Sequence, residues 1–269
     1  MNELTVPSTG CVRLPYNTDA GIGFTAHIGM VITSNDQTLP YEARNLLNIP
    51  GVALYESKLL STRPRDGELN FEALSRLAEP IVAAVRQINT MRAPDVVAVG
   101  CTSGAMAIGP AVLRDKIRTV YPEAKTTDPF TGLIQSLRTL GAKRICFISP
   151  YPPAVSDRMT EALRTEGYEI PLVGAFHKEG ENIGADAPFI RPESIIKAAV
   201  QMGRAANVDV VLLACTQLRV AEYIEEIETL IGKPVITSNQ AMCWHALRLI
   251  GYDRPIAAAG RLFRLDNLG

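Results

Sequence analysis

The chain has 269 residues, of which 47% are hydrophobic, and a formal net charge of −1. A chain of this length can bury two cores of ordinary size, and its charge gives no general attraction to nucleic acid or to an anionic membrane. It has no apolar run of about 18 residues, so no membrane span is predicted. Residues 1–23 lack the basic head and apolar stretch of a secretory signal and are predicted to form a loose extension.

Strand and helix patterns alternate along the chain, which predicts an α/β fold with mostly parallel sheets flanked by helices. Residues 36–50 and 177–192 lack strong periodicity and are predicted to be loops over a cleft. Strands are predicted near 28–33, 52–55, 95–100, 144–149, 171–176, 208–214, 234–236 and 255–258. Helices are predicted over 72–88, 156–166, 194–204, 221–231 and 241–250.

The two halves of the chain repeat the same features in the same order. An apolar strand runs into Cys-Thr at Cys101 and again at Cys215, and each cysteine follows a polar strand end, Asn35 or Tyr151, at almost the same distance. One unit used twice predicts two similar lobes that face each other across a cleft. The predicted limits are 24–124 plus 236–269 for the first lobe and 125–235 for the second.

The five cysteines differ in their sequence context. They lack the close spacing of a disulfide framework or a zinc site, which indicates a reduced, cytoplasmic protein. Cys146 and Cys243 are predicted to pack as small apolar residues, and Cys11 lies in the extension. Cys101 and Cys215 fall where a buried strand ends, and this edge of a parallel sheet is where ligands bind. These two thiols are therefore the candidates for chemistry.

Several motifs together resemble the aspartate/glutamate racemase superfamily, and most closely its maleate cis–trans isomerase and arylmalonate decarboxylase branch. The Cys-Thr pairs mark the superfamily, whereas Ser149-Pro150-Tyr151 and the segment 239–248 are more specific to the isomerase branch. The resemblance covers about 26–264. It implies two α/β lobes related by a pseudo-twofold axis, an active site between them, no metal or organic cofactor, and a homodimer or homotetramer.

The resemblance also implies roles for individual residues. Cys101 is expected to be the nucleophile that adds to the double bond of a small dicarboxylic acid such as maleate, and Cys215 is expected to be the acid/base. Asn35, Tyr151 and Asn182 match positions that hold substrate carboxylates. Hydroxyl and amide donors for the same purpose are expected from Thr102, Ser103 and Thr216.

Other functions remain open at this level. Two thiols could racemise an amino acid or a hydantoin by proton transfer, and a relative active in ectoine breakdown would share the same motifs. Decarboxylases of the family have one of the two cysteines, which disfavours that reaction here. A binding protein on the same scaffold would keep the cleft but would not need both thiols. Nothing in the sequence decides whether Arg13, Tyr16, Arg63 and Arg65 contact substrate or a second subunit.

Overall fold

The computed structural model describes residues 10–61, 67–88, 91–180, 186–256 and 259–265. These residues form two four-stranded sheets with the orders β2-β1-β3-β4 and β6-β5-β7-β8, and all neighbouring strands are parallel. The equal strand orders confirm the predicted fold of two similar α/β lobes. The strands are Ala26–Thr33 (β1), Val52–Leu59 (β2), Val96–Gly100 (β3), Lys125–Thr127 (β4), Arg144–Ser149 (β5), Glu169–Ala175 (β6), Val210–Leu213 (β7) and Val235–Thr237 (β8).

Helices follow most of the strands. Within the described residues they are Thr38–Leu46 (α1), Phe71–Ser75 (α2), Ile81–Val85 (α3), Thr102–Ile108 (α4), Pro110–Arg118 (α5), Pro129–Leu140 (α6), Pro153–Thr165 (α7), Pro192–Gly203 (α8), Ile224–Ile231 (α9) and Ser238–Leu249 (α10). In this part of the chain, no helix has the length and apolar character needed to cross a membrane.

The cores of both lobes are built on their central strands. Every residue of β1, β3 and β7 is buried. Strands covered by helices on both faces need no polar residue at alternate positions, which explains the continuous apolar runs before Cys101 and Cys215.

Three local predictions were wrong. Residues 36–50 contain α1 instead of a loop, because Asp36 accepts hydrogen bonds from the amides of Thr38 and Leu39 and so starts a helix that periodicity did not reveal. The single helix predicted over 72–88 is divided into α2, a 3₁₀ turn and α3, since Pro80 has no amide hydrogen to donate. Residues 255–256 are not a strand, and 257–258 lie outside the described residues.

The two lobes meet at α6 and α10, which follow the corresponding strands β4 and β8. A Cβ atom on Gly132 of α6 would lie 2.7 Å from the carbonyl oxygen of Ala241 in α10, so a glycine is required for this close approach. The chain leaves the first sheet after β4 and the second sheet after β8. The lobe limits given above remain a prediction.

Candidate active site

Cys101 lies immediately after β3 and is the N-cap residue of α4. Its side chain is half-buried, so it can reach a ligand in the cleft. The amides and dipole at the N-terminal end of a helix favour a negative charge at this position. A Cβ atom on Gly104 would lie 2.9 Å from the Cys101 Sγ atom, so the sulfur needs a glycine one turn along the helix.

Cys215 lies two residues beyond β7 and is buried, with 8% of its surface exposed. Its Sγ atom accepts a hydrogen bond from the Gln217 amide at 3.4 Å. Burial raises the pKa of the thiol to about 12, although hydrogen bonds from Tyr151 and Gln217 act in the opposite direction. Negative charge on Asp36 or Cys101 raises it further. Cys215 therefore holds its proton at neutral pH.

Tyr151 joins the two cysteine-bearing segments. Its side chain is 5% exposed, and its hydroxyl interacts by hydrogen bonds with the side chains of Cys215 and Ser103. Burial holds the pKa of Tyr151 well above its ordinary value, and the negative charge that Cys215 or Cys101 carries when deprotonated acts in the same direction. The phenol is thus a permanent hydrogen-bond donor that lies close to both thiols.

The threonines and the serine predicted to bind substrate are all buried near the cysteines, at 1% exposure for Thr102, 4% for Ser103 and 3% for Thr216. The Thr102 hydroxyl donates to the Ser238 hydroxyl at 2.8 Å and so fixes α4 against α10. The Thr216 carbonyl accepts from the Asn239 side chain at 2.8 Å. Two of these residues therefore also hold the site together.

Of the two predicted asparagines, the structure describes only Asn35. Asn35 is solvent-exposed just beyond β1, and the next residue, Asp36, is the buried one, with 3% of its surface exposed. Asn182 lies outside the described residues. Both asparagines remain predictions.

The sequence reasoning missed a buried carboxylate that ties the Cys215 loop to the first lobe. Oε1 of Glu42, in α1, accepts from the amides of Val220 and Ala221 at 2.9 and 3.0 Å. Its Oε2 atom accepts from the Asn239 side chain at 2.7 Å. Burial raises the pKa of Glu42 to about 7. Asp36 and Glu42 both lie in residues 36–50, which were predicted to be a loop. The hydrophobic periodicity of this segment therefore did not indicate that their side chains are buried.

Cys146 and Cys243 were predicted to pack as small apolar residues, and their burial agrees with this prediction. Cys146 and Cys243 are fully buried, and burial raises the pKa of both thiols. The Nδ1 atom of His245 shares a hydrogen bond of 2.8 Å with the Thr127 hydroxyl. Burial lowers the pKa of His245 to about 4, so the imidazole is neutral at pH 7. Cys11 is exposed, as are Arg13 and Tyr16, whereas Arg63 and Arg65 lie outside the described residues.

Comparison with known proteins identifies the family. A sequence model of the arylmalonate decarboxylase family matches residues 58–263. The chain is 25% identical to maleate isomerase of Nocardia farcinica over 249 residues, which cover 89% of this chain and 96% of the relative. Its fold is similar to that of a cysteine-to-serine mutant of the Nocardia farcinica maleate cis–trans isomerase with a covalently bound succinylcysteine intermediate. That structure gives a TM-score of 0.78 at 22% identity and covers 89% of this chain and 98% of the other.

A crystal structure of arylmalonate decarboxylase is also similar, with a TM-score of 0.69, 23% identity, and coverage of 89% of this chain and 99% of that one. The family match spans more than half of the sequence and includes both Cys101 and Cys215. The chain therefore belongs to the arylmalonate decarboxylase family.

Proposed function

We propose that this protein is a cofactor-independent isomerase that converts a small cis dicarboxylic acid of the maleate type into its trans isomer. In this reaction Cys101 is the nucleophile and Cys215 is the acid/base. The observation that carries the proposal is the cluster of Cys101, Cys215 and Tyr151, in which two thiols from equivalent strand ends have different surroundings.

The different surroundings support the division of roles. A thiol with a pKa of about 12 is protonated at neutral pH, so Cys215 is a poor nucleophile but can donate a proton. Cys101 is more exposed and lies at the N-terminal end of α4, where an anion is favoured. A thiolate at Cys101 can therefore attack while the neighbouring thiol still holds a proton.

The proposed reaction has three steps. The Cys101 thiolate forms a C–S bond to one alkene carbon, the π bond breaks, and its electron pair moves to the neighbouring carbon, which takes the proton of Cys215. The central carbon–carbon bond is now single, and the chain rotates about it. The Cys215 thiolate then removes a proton, the C–S bond breaks, and the trans double bond forms, which restores both cysteines.

The relatives support this chemistry. Maleate isomerases are found among the similar sequences over nearly the whole chain. The succinylcysteine of the Nocardia farcinica mutant is the kind of adduct that the first step forms from maleate. The proposed substrate carboxylates would be bound by neutral donors from Tyr151, Thr102, Ser103 and Thr216, and on substrate binding also by Asn35 and Asn182.

Proton NMR of maleate with the purified protein tests the proposal. We expect fumarate to form without added cofactor, Cys101→Ser to lower the rate at least about 10³-fold, and Cys215→Ser to be impaired but to accumulate an adduct on Cys101. Cys11→Ser is the matched control and should be fully active, because Cys11 is exposed and outside the cluster.

Four outcomes would contradict the proposal in different ways. Full activity of either serine variant of the cluster would remove thiol chemistry. An adduct found by mass spectrometry on Cys215 would exchange the two roles. Deuterium at the α-carbon of an amino acid would indicate a racemase instead, and CO₂ release from an arylmalonate would indicate a decarboxylase.

We also propose that the protein is a cytoplasmic homodimer or homotetramer. Large apolar side chains are exposed on the N-terminal segment, including Leu14, Tyr16 and Ile22 at 65%, 84% and 80%, which supports burial of this segment against a second copy. Light scattering after size-exclusion chromatography checks this, and a monomer at micromolar concentration would contradict it.

A further inference from the structure

The first two residues of α10 each contact the residue that follows one of the two cysteines of the candidate site. The Ser238 hydroxyl accepts a hydrogen bond of 2.8 Å from the hydroxyl of Thr102, the residue after the first cysteine. The Asn239 side-chain amide donates a hydrogen bond of 2.8 Å to the carbonyl of Thr216, the residue after the second cysteine. One helix end is therefore in direct contact with both segments that carry a thiol.

Both contacts are shielded from water. The residues that make them are at most 3% exposed: Ser238, Asn239, Thr102 and Thr216. In such a region of low dielectric a hydrogen bond is stronger than at the surface, and breaking it leaves a buried polar group unpaired. Each contact therefore fixes the distance between α10 and one of the segments that carry the thiols.

The start of α10 is capped by other side chains. Thr237 is the N-cap residue, and its side chain accepts a hydrogen bond from the Gln240 amide at 3.1 Å, while the Gln240 side chain accepts from the Thr237 amide at 3.2 Å. The Gln240 side chain also donates to the Ala259 carbonyl at 2.7 Å, which anchors this helix end. The side chains of Ser238 and Asn239 are thus not needed for capping, and they bind their threonines from a helix end that is already fixed.

The corresponding helix of the repeat, α6, differs at the equivalent place. Its N-cap residue, Asp128, uses both carboxylate oxygens within its own first turn: Oδ1 accepts from the Thr131 amide at 2.9 Å, and Oδ2 accepts from the Thr131 hydroxyl at 2.6 Å. The next two residues are Pro129 and Phe130, whose side chains carry no hydrogen-bonding group. Duplication alone therefore does not supply these contacts, and the polar pair after the cap is a property of α10.

We infer that Ser238 and Asn239 are positioning residues, each of which acts through the threonine it contacts to hold one of the two thiols in place. The inference rests on the proposed function, because a nucleophile and a proton donor must act on neighbouring carbons of one substrate. A displacement of about 1 Å in such a pair can lower the rate about 100-fold. Ser238 positions the nucleophile, and Asn239 positions the acid/base.

Kinetics of matched serine variants test this inference. Ser238→Ala should lower kcat for maleate about 10–100-fold and change KM at most about threefold, because attack on the alkene is more sensitive to a small displacement than binding is. Ser136→Ala is the control: Ser136 is also fully buried, and its hydroxyl donates to the Gly132 carbonyl at 2.7 Å within α6. It should lower Tm by a similar amount and leave kcat unchanged. A kcat of Ser238→Ala within about twofold of the control would overturn the inference and leave the isomerase proposal intact.

A double-mutant cycle tests the route by which Ser238 acts. Thr102→Val removes the same hydrogen bond from the other side and keeps the shape of the side chain. If Ser238 acts through Thr102, adding Ser238→Ala to Thr102→Val should lower kcat by less than about twofold. Losses of kcat that multiply in the double variant would show that the two side chains act independently and would refute this route.

Hydrogen–deuterium exchange, read by mass spectrometry, keeps the test independent of turnover. Ser238→Ala should speed exchange in α4, where the Ala105 amide donates to the Cys101 carbonyl at 2.8 Å, and leave residues 217–221 as in the wild type. Asn239→Ala should have the opposite pattern. If maleate is not converted, the proposed function fails, and these patterns alone decide whether α10 holds the two segments. Unchanged exchange of α4 in Ser238→Ala would refute the inference, even if Asn239→Ala does not fold.

Discussion

Glu42 in α1 gives the most discriminating test of how the Cys215 loop is held. Its carboxylate accepts the amides of Val220 and Ala221 and the side chain of Asn239, and Asn239 in turn holds the carbonyl of Thr216. These contacts connect the first lobe to the residues that follow Cys215. We therefore consider the change Glu42→Gln, which keeps the shape of the side chain and removes its charge.

The expected effect on stability follows from the pKa of Glu42. Burial raises this pKa from its ordinary value of 4.5 to about 7, so the folded protein binds the proton more tightly than the unfolded chain does. The stabilisation from the protonated carboxyl is complete below pH 4.5 and is lost as the pH rises through about 7. At about 1.4 kcal/mol per pKa unit, the whole loss is about 3 kcal/mol, most of it between pH 5 and 8.

Glutamine does not titrate, so it lacks this loss. The free energy of unfolding of Glu42→Gln, relative to wild type, should therefore rise by about 2–3 kcal/mol between pH 5 and pH 8. Activity should fall at the same time, because the glutamine amide faces the amide of Asn239, and two donors meet where a donor and an acceptor met before. A stability difference that moves in favour of the variant as the pH rises, together with lower activity, is the expected combination.

Urea unfolding followed by fluorescence measures this difference. The chain has one tryptophan, Trp244, which is fully buried in α10 and will report loss of the fold. Glu226→Gln is the control, since Glu226 is exposed on α9. A stability difference between Glu42→Gln and wild type that stays constant from pH 5 to 8 would refute the reasoning, as would full activity of the variant.

Two further substitutions test the geometry around the thiols. Gly104→Ala should lower kcat by about 10–100-fold with little change in Tm, because its Cβ atom would lie 2.9 Å from the Cys101 sulfur. Gly132→Ala is the comparison: its Cβ atom meets the Ala241 backbone, so this variant should lower Tm instead. Tyr151→Phe should lower kcat by about 10–100-fold, because Cys215 loses its hydrogen bond from the phenol, and circular dichroism should show an unchanged fold. An unchanged kcat in Gly104→Ala or in Tyr151→Phe would contradict the proposed arrangement.

The repeat in the sequence predicted the fold because its apolar runs correspond to buried strands. A strand with helices on both faces needs apolar residues at every position, as in β3 and β7, so the runs before Cys101 and Cys215 predicted both the strands and the edge where the thiols lie. Helix α1 was missed for the opposite reason. It carries the buried carboxylate of Glu42, and it starts on the side chain of Asp36, so its face toward the core is partly polar.

The sequence also could not show which residue at the end of β1 turns toward the site. Asn35 and Asp36 are neighbours at the end of β1, and alternation along an extended strand does not continue into the turn that follows it. Only the capping bonds of Asp36 decide that this residue turns inward while Asn35 faces solvent. A one-residue difference of this kind depends on tertiary contacts, since Thr216 and Cys215 come from the other half of the chain.

Duplication places two cysteines at equivalent strand ends, but the proposed reaction needs them to differ. The difference arises in the residues after each cysteine. Cys101 is followed at once by α4 and remains half-buried, whereas Cys215 enters a turn that Tyr151, Asp36 and the contacts of Glu42 enclose. Burial raises the pKa of Cys215, negative charge on Asp36 or Cys101 adds to the effect, and the thiol keeps its proton. The duplicated scaffold thus gives the two thiols unequal surroundings, as the proposed reaction requires, because burial and nearby negative charge raise the pKa of Cys215.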